Sequence, residues 1–227
     1  MRGAAADRRA AGRAVTPADP AVALLLASSE PGIRQQARRD LLDEPAGDDE
    51  RAVPGGPKVS ALLAGQEADG GFGGHPYQKW GGVHWRLVSL VELGVPAGEP
   101  RAMATADREL SRLTGAAQGR AGKKIDGLTR ICASLEGNAL AACCQLGLAA
   151  DPHVEPLART LAGWQCPTAA GTATSAPAAG GRPSTGGCWW RYGDESSGPA
   201  EVVDWGRHGP SEMLTLNALQ VLRAGGR

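Results

Sequence analysis

The chain has no net charge: 24 Lys and Arg balance 24 Asp and Glu. That argues against a generic electrostatic nucleic-acid binder and against a polybasic membrane-surface protein. It also lacks long apolar runs, and none approaches the ~20 residues a membrane helix needs. The first run, 21–27, stops at Ser28, Ser29, Glu30 and Pro31. The Arg-containing start (Arg2, Arg8, Arg9, Arg13) has no adjoining apolar segment, so no secretory leader is expected. The five Cys form no Cys-x-x-Cys pair and leave one odd. Without a leader, this predicts reduced thiols and a cytoplasmic protein. The four His show no metal-binding spacing. Aromatics are few, with six Trp, two Tyr and one Phe.

What is present is a globular composition, 42% hydrophobic and 21% charged, enough for one large domain or two small ones. Residues 1–18 are mostly Ala, Arg and Gly without a period and read as a disordered lead. From 19 onward the periods are helical. Pro31 suits a first helical position, and Ile33, Ala37 and Leu41 follow at a spacing of four. Residues 44–57 read as a connection. Val59, Leu62, Leu63 and Gln66 make the next apolar face, and a glycine-dense loop follows at 69–74. Val83, Leu87, Leu90 and Val91 share one helical face, with Arg86 and Ser89 on the other. Gly94 and Pro96 stop that helix. A helix over 100–114 buries Leu110 and Leu113. Another is lined by Leu140, Cys143, Cys144 and Gly147.

Asp151 and Pro152 open a helix that turns Val154, Leu157, Ala158, Leu161 and Trp164 inward. Pro156 conflicts with that start, so the helix either begins later or kinks. Residues 166–209 lose the helical period and read as an irregular linker. Residues 210–227 regain it, with Leu214, Leu216, Leu219 and Leu222 on more than one side, as in a buried helix. No convincing strand is found, and the expected class is all-α.

Two segments repeat weakly, Leu62-Leu63-Ala64-Gly65-Gln66 and Leu161-Ala162-Gly163-Trp164-Gln165. The first runs into Glu67-Ala68-Asp69-Gly70-Gly71-Phe72-Gly73. This Gln-x-x-Asp-Gly-Gly-aromatic-Gly string resembles the repeat of the α/α-toroid superfamily of squalene and hopene cyclases and protein prenyltransferases. Residues 28–44, 73–96, 126–148 and 202–227 look like actinobacterial prenyltransferase or squalene-cyclase repeat proteins, over roughly half the chain. The resemblance implies a ring of helical hairpins, with Gln66 and Gln165 ending helices, Asp69, Gly70 and Gly71 making a tight turn, and Phe72 stacking on a neighbouring repeat. A closed ring needs about twelve helices, more than this chain can supply, so the expectation is a partial, open toroid over 19–165 completed by 210–227. An open edge would favour self-association.

The implied chemistry is isoprenoid processing or binding, as in a terpene cyclase or prenyltransferase. The cyclases' Asp-x-Asp-Asp is absent, however, and the clusters Asp48-Asp49-Glu50 and Asp194-Glu195 read as solvated surface charge. The prenyltransferases' zinc set is not matched by Asp126, Cys132 and His153, so no metal is expected. The segment 75–86 offers more. Lys79 and Arg86 would hold a diphosphate, with Mg²⁺ only if one is bound, while Trp80 and Trp85 wall an isoprenoid, and His84 and Arg130 join the same ligand-binding set. Alternatively the rings pack between repeats and the cations sit in water. Arg130, Glu136 and Asn138 form a second constellation. Glu136, with Asp126 as another candidate, would serve as a cavity acid or carbocation stabiliser, or else pair with Arg130 or Lys124. The competing function is a non-catalytic helical scaffold with no small-molecule substrate.

Residues 166–185 admit a third kind of reading, a shifted reading frame. After Trp164-Gln165 the resembled family reads Pro-Asp-Gly-Gly-Trp-Asn-Cys-Asp. Joining the third base of each codon from Cys166 to Ala173 with the first two bases of the next codon can spell CCC, GAC, GGC, GGC, TGG, AAC, TGC and GAC. These encode that string. Two bases of every triplet are forced by the protein sequence. The alternative is a genuine linker of biased composition.

Overall fold

A computed structural model of the chain describes residues 16–45, 47–115, 123–125, 128–130, 134–163, 202–205 and 210–225. The fold is all-α, apart, among the described residues, from one small antiparallel ribbon that the sequence does not announce: β1 (Lys123–Ile125) pairs with β2 (Leu128–Arg130). Among the described residues no helix is long and apolar enough to cross a membrane. The expected lead lies outside the described residues up to 15. Residues 16–19 form a turn in which the Thr16 N–H donates to Asp19 Oδ2 at 2.8 Å. The expected linker is described only at 202–205, so the frame-shift reading of 166–185 lies outside the described residues.

The chain divides into two compact units, residues 1–58 with 204–227, and residues 59–203. The first contains α1 (Pro20–Leu26), α2 (Pro31–Gln36), a π-helical turn (Ala37–Leu41) and α3 (Asp48–Ala52). α9 (Glu212–Ala224) belongs with them. Pro31 opens α2 as its spacing predicts, because a helix start has no use for the missing N–H. Val22, Leu25, Ile33, Ala37, Leu41 and Leu216 form the buried cluster, flanked by Leu26, Leu42, Met213 and Leu219.

Three expectations need correction here. The connection at 44–57 contains α3, a 3₁₀ turn (Val53–Gly55) and the start of α4 (Pro57–Leu63). The acidic run lies in the first turn of α3, where negative charge is favoured by the positive end of the helix dipole. Asp49 of that run is no solvated charge, since Arg34 donates to its Oδ1 through Nε at 2.8 Å and Nη2 at 2.6 Å. α9 is not a buried helix either. Leu216 is enclosed, while Leu214 is 71% exposed and Leu222 44% exposed. One helix face, with Leu216 and Leu219, fits the cluster, and Leu214 and Leu222 lie on the other side of the helix.

The second unit packs α5 (Val83–Glu92), α6 (Pro100–Thr114), α7 (Ser134–Gln145) and α8 (Val154–Gly163) on one another. Val83, Leu87, Leu90 and Val91 are buried from α5, and Leu110 and Leu113 from α6, as their periods predict. α7 is narrower than expected. Cys143 is buried, but Cys144 is exposed and Gly147 lies beyond the helix end with φ of 86°. Burial pushes the Cys143 thiol up to about 12, so it stays protonated. The conflict at Pro156 is resolved by a late start: α8 begins at Val154, which leaves Pro156 in the first turn where no helical N–H bond is lost.

Candidate functional site

The glycine-dense loop between α4 and α5 is an ordered turn, built on contacts with α6. The Gln66 side chain donates from Nε2 to the Arg101 carbonyl and to Thr105 Oγ1, each at 2.8 Å. Its Oε1 accepts from Arg101 Nε at 3.1 Å. Asp69 Oδ1 accepts from the Gly71 N–H at 2.9 Å, and the Glu67 N–H donates to the Gly71 carbonyl at 2.8 Å. Gly70 has φ of 80°, and a Cβ there would lie 2.0 Å from the Ala104 carbonyl oxygen. Both the backbone conformation and the approach to α6 therefore require glycine.

Two arginines close the end of α4. Arg86 donates from Nε to the Gly81 carbonyl at 2.8 Å and from Nη1 to the Leu62 and Ala64 carbonyls. Arg101 Nη2 donates to the Leu63 carbonyl. The Leu62 and Leu63 carbonyls lie in the last turn of α4 and have no partner inside the helix, and a cation at a helix C-terminus is favoured by the dipole. The Arg86 guanidinium also lies 4.2 Å from the centroid of the Phe72 ring. Phe72 thus meets a cation of its own unit. Burial lowers the Arg86 pKa from the usual arginine value.

Behind the loop an ion cluster is enclosed between α5 and α6. His84 Nδ1 lies 3.0 Å from Glu109 Oε1, with 1% and 0% of the side chains exposed. Arg112 donates to both carboxylate oxygens, Nε to Oε2 at 2.9 Å and Nη2 to Oε1 at 2.6 Å. Burial pushes the Glu109 carboxyl up, but His84 and Arg112 together outweigh it and hold the group below its ordinary value. Sequence reasoning named His84 and missed Glu109. The Glu109–Arg112 spacing of three on one helix was a legible signal; the partner on α5 was not.

The aromatic residues of 75–86 come together. Tyr77 lies 5.6 Å from Trp85 and 5.5 Å from His84, and His84 meets Trp85 edge-on at 5.2 Å. Trp80 lies 5.1 Å from Trp85. At these separations the rings touch one another. Trp80 has φ of 64° and is 38% exposed, and Lys79 Nζ lies 5.4 Å from its ring centroid.

The second constellation falls partly outside the described residues. Glu136 is buried in the first turn of α7, while Asn138 is exposed. Arg130 lies in β2, but its side chain and that of Lys124 are outside the described set, as are Asp126, Cys132, Trp164, Gln165, Asp194 and Glu195. His153 is exposed and lies 3.1 Å from Asp151 Oδ1. Among the described residues no three His, Cys, Asp or Glu side chains are grouped to hold a metal ion. No protein-family model, curated protein or solved structure matches the chain.

Proposed function

We propose that the chain is a non-catalytic helical scaffold built from toroid-type repeats. The observation that carries this reading is the engagement of Arg86. Its guanidinium serves three backbone carbonyls and a ring, so a diphosphate would have to break those contacts before using it. The Gly81 and Leu62 carbonyls are partly buried, and an incoming anion must offset the loss of their charge-assisted bonds. His84 is likewise enclosed with Glu109 and does not wall an open cavity.

One observation favours the second reading, an isoprenoid-binding protein. Trp80 is held in a left-handed backbone conformation that is uncommon for a bulky residue, and its ring stays partly exposed beside Lys79. Titration with farnesyl or geranylgeranyl diphosphate, with and without Mg²⁺, separates the two. Trp80 and Trp85 are in ring contact, so their fluorescence reports any ligand on this surface. The scaffold reading expects no change at high micromolar ligand. A saturable change that Lys79→Ala weakens replaces it with the second reading.

A further inference from the structure

The first unit holds a carboxyl group that neither reading uses. Glu30, between α1 and α2, has no exposed surface. Its Oε2 accepts the Lys58 N–H at 2.7 Å. Its Oε1 has no hydrogen-bond partner and faces Gly56, where a Cβ would lie 2.0 Å from that oxygen. Glycine at 56 is thus what makes room for the carboxyl. An acid enclosed with half of its acceptor capacity unmet is costly when ionised.

Glu30 also adjoins the attachment of α9. The Glu30 N–H donates to Ser28 Oγ at 3.0 Å, and the Ser28 hydroxyl donates to Glu212 Oε2 at 2.8 Å. Glu212 opens α9, so one buried serine joins the backbone of Glu30 to a carboxylate of the C-terminal helix. The rest of α9 is held by Leu216 in the core, by Gln220 Nε2 donating to Asp40 Oδ2 at 2.8 Å, and by Arg223 on Asp43.

We propose that Glu30 is a proton-operated latch for α9: the helix is held tightly while Glu30 carries its proton and loosens when Glu30 ionises beside Glu212. Among the described residues, the charges that act on Glu30 come from α2, α4 and α9. Burial raises its pKa most, and Glu212 on α9 adds to the rise. Lys58 on α4 and Arg34 on α2 oppose it, but Arg34 is already forked onto Asp49 of α3. The folded state therefore holds the Glu30 proton more tightly than the unfolded chain. The stabilisation is complete below the ordinary glutamate value of 4.5 and is lost as pH rises through the higher folded value. Asp40, which accepts from Gln220 of α9, works in the opposite sense, since its pKa is lowered by Arg39 and its own contribution fails only in acid.

Hydrogen exchange of the full chain, corrected for the intrinsic pH dependence of amide exchange, tests this between pH 4.5 and about pH 8. Protection of the α9 amides falls as pH rises, by up to about tenfold per pH unit, the limit for one proton, while protection of α5 stays level. Glu30→Gln makes α9 protection independent of pH in that range. Glu212→Gln keeps an acceptor for Ser28 but removes the like charge, so it lessens the dependence and supplies a second reading if Glu30→Gln does not fold. Constant α9 protection in the unmodified chain overturns the proposal, as does an undiminished slope in either variant.

Discussion

Each of the two units encloses a glutamate, and the two are supported in opposite ways. Glu109 meets a forked arginine and a histidine, which together outweigh the cost of its burial. Glu30 meets one backbone N–H and leaves its second oxygen against a glycine. Depth of burial does not distinguish them, since both are fully enclosed. The donors supplied by neighbouring elements do, and they decide which protonation state the fold prefers.

The largest effect should come from breaking the better-supported site. Glu109→Ala leaves Arg112 and the His84 ring without their acceptor, and should cost about 3 kcal/mol, the usual scale for removing one partner of a buried ion pair. Urea denaturation of the variant against the unmodified chain measures it. A loss under about 1 kcal/mol would mean that the cluster is not a main tie between α5 and α6.

One glycine in each unit sharpens the contrast. Gly70→Val combines a left-handed φ with a clash against the backbone of α6, and should cost about 2–3 kcal/mol in thermal denaturation. Gly56→Ala meets the end of the Glu30 side chain, which can turn aside, so about 1 kcal/mol is expected. Equal costs would show that the Glu30 carboxyl is held as firmly as a peptide group.

Acidity should separate the units as well. Glu109 has a lowered folded pKa, so its stabilisation is present above the ordinary carboxylate value and is lost as pH falls through the lower one. Glu30 behaves inversely, losing its contribution as pH rises. Trp fluorescence, dominated in the described part of the second unit by Trp80 and Trp85, should report acid loosening there. That loosening should move to higher pH in Arg112→Lys, which replaces a forked contact with a point charge.

The smallest effect on folding is expected on the outer face of α9. Leu214→Ser and Val221→Ser change residues that are each 71% exposed, and should alter stability by less than about 0.5 kcal/mol. Their readout is sedimentation. An association that the double variant weakens would place the expected self-contact on this helix, whereas unchanged association would assign it elsewhere.

The frame-shift reading of 166–185 needs nucleic acid and no structure. Third bases of codons 166–173 that fail to spell the repeat would exclude it.

The apolar periods of α2, α5 and α6 were legible from sequence alone because the buried face of a helix is written into positions three and four apart. So was the ordered turn at Gln66 to Phe72, where an Asx turn and glycine conformation act over a few residues. Tertiary structure alone decided the rest. It placed Arg86 and Arg101 on the carbonyls of α4, and Glu109 on the far side of His84. It left Leu214 and Leu222 of an all-round apolar helix outside the core, and brought Ser28 and Glu212 together across 184 positions of chain. Hydrogen bonds and charges act through space, and a sequence states which groups are available without stating which donor will reach which acceptor.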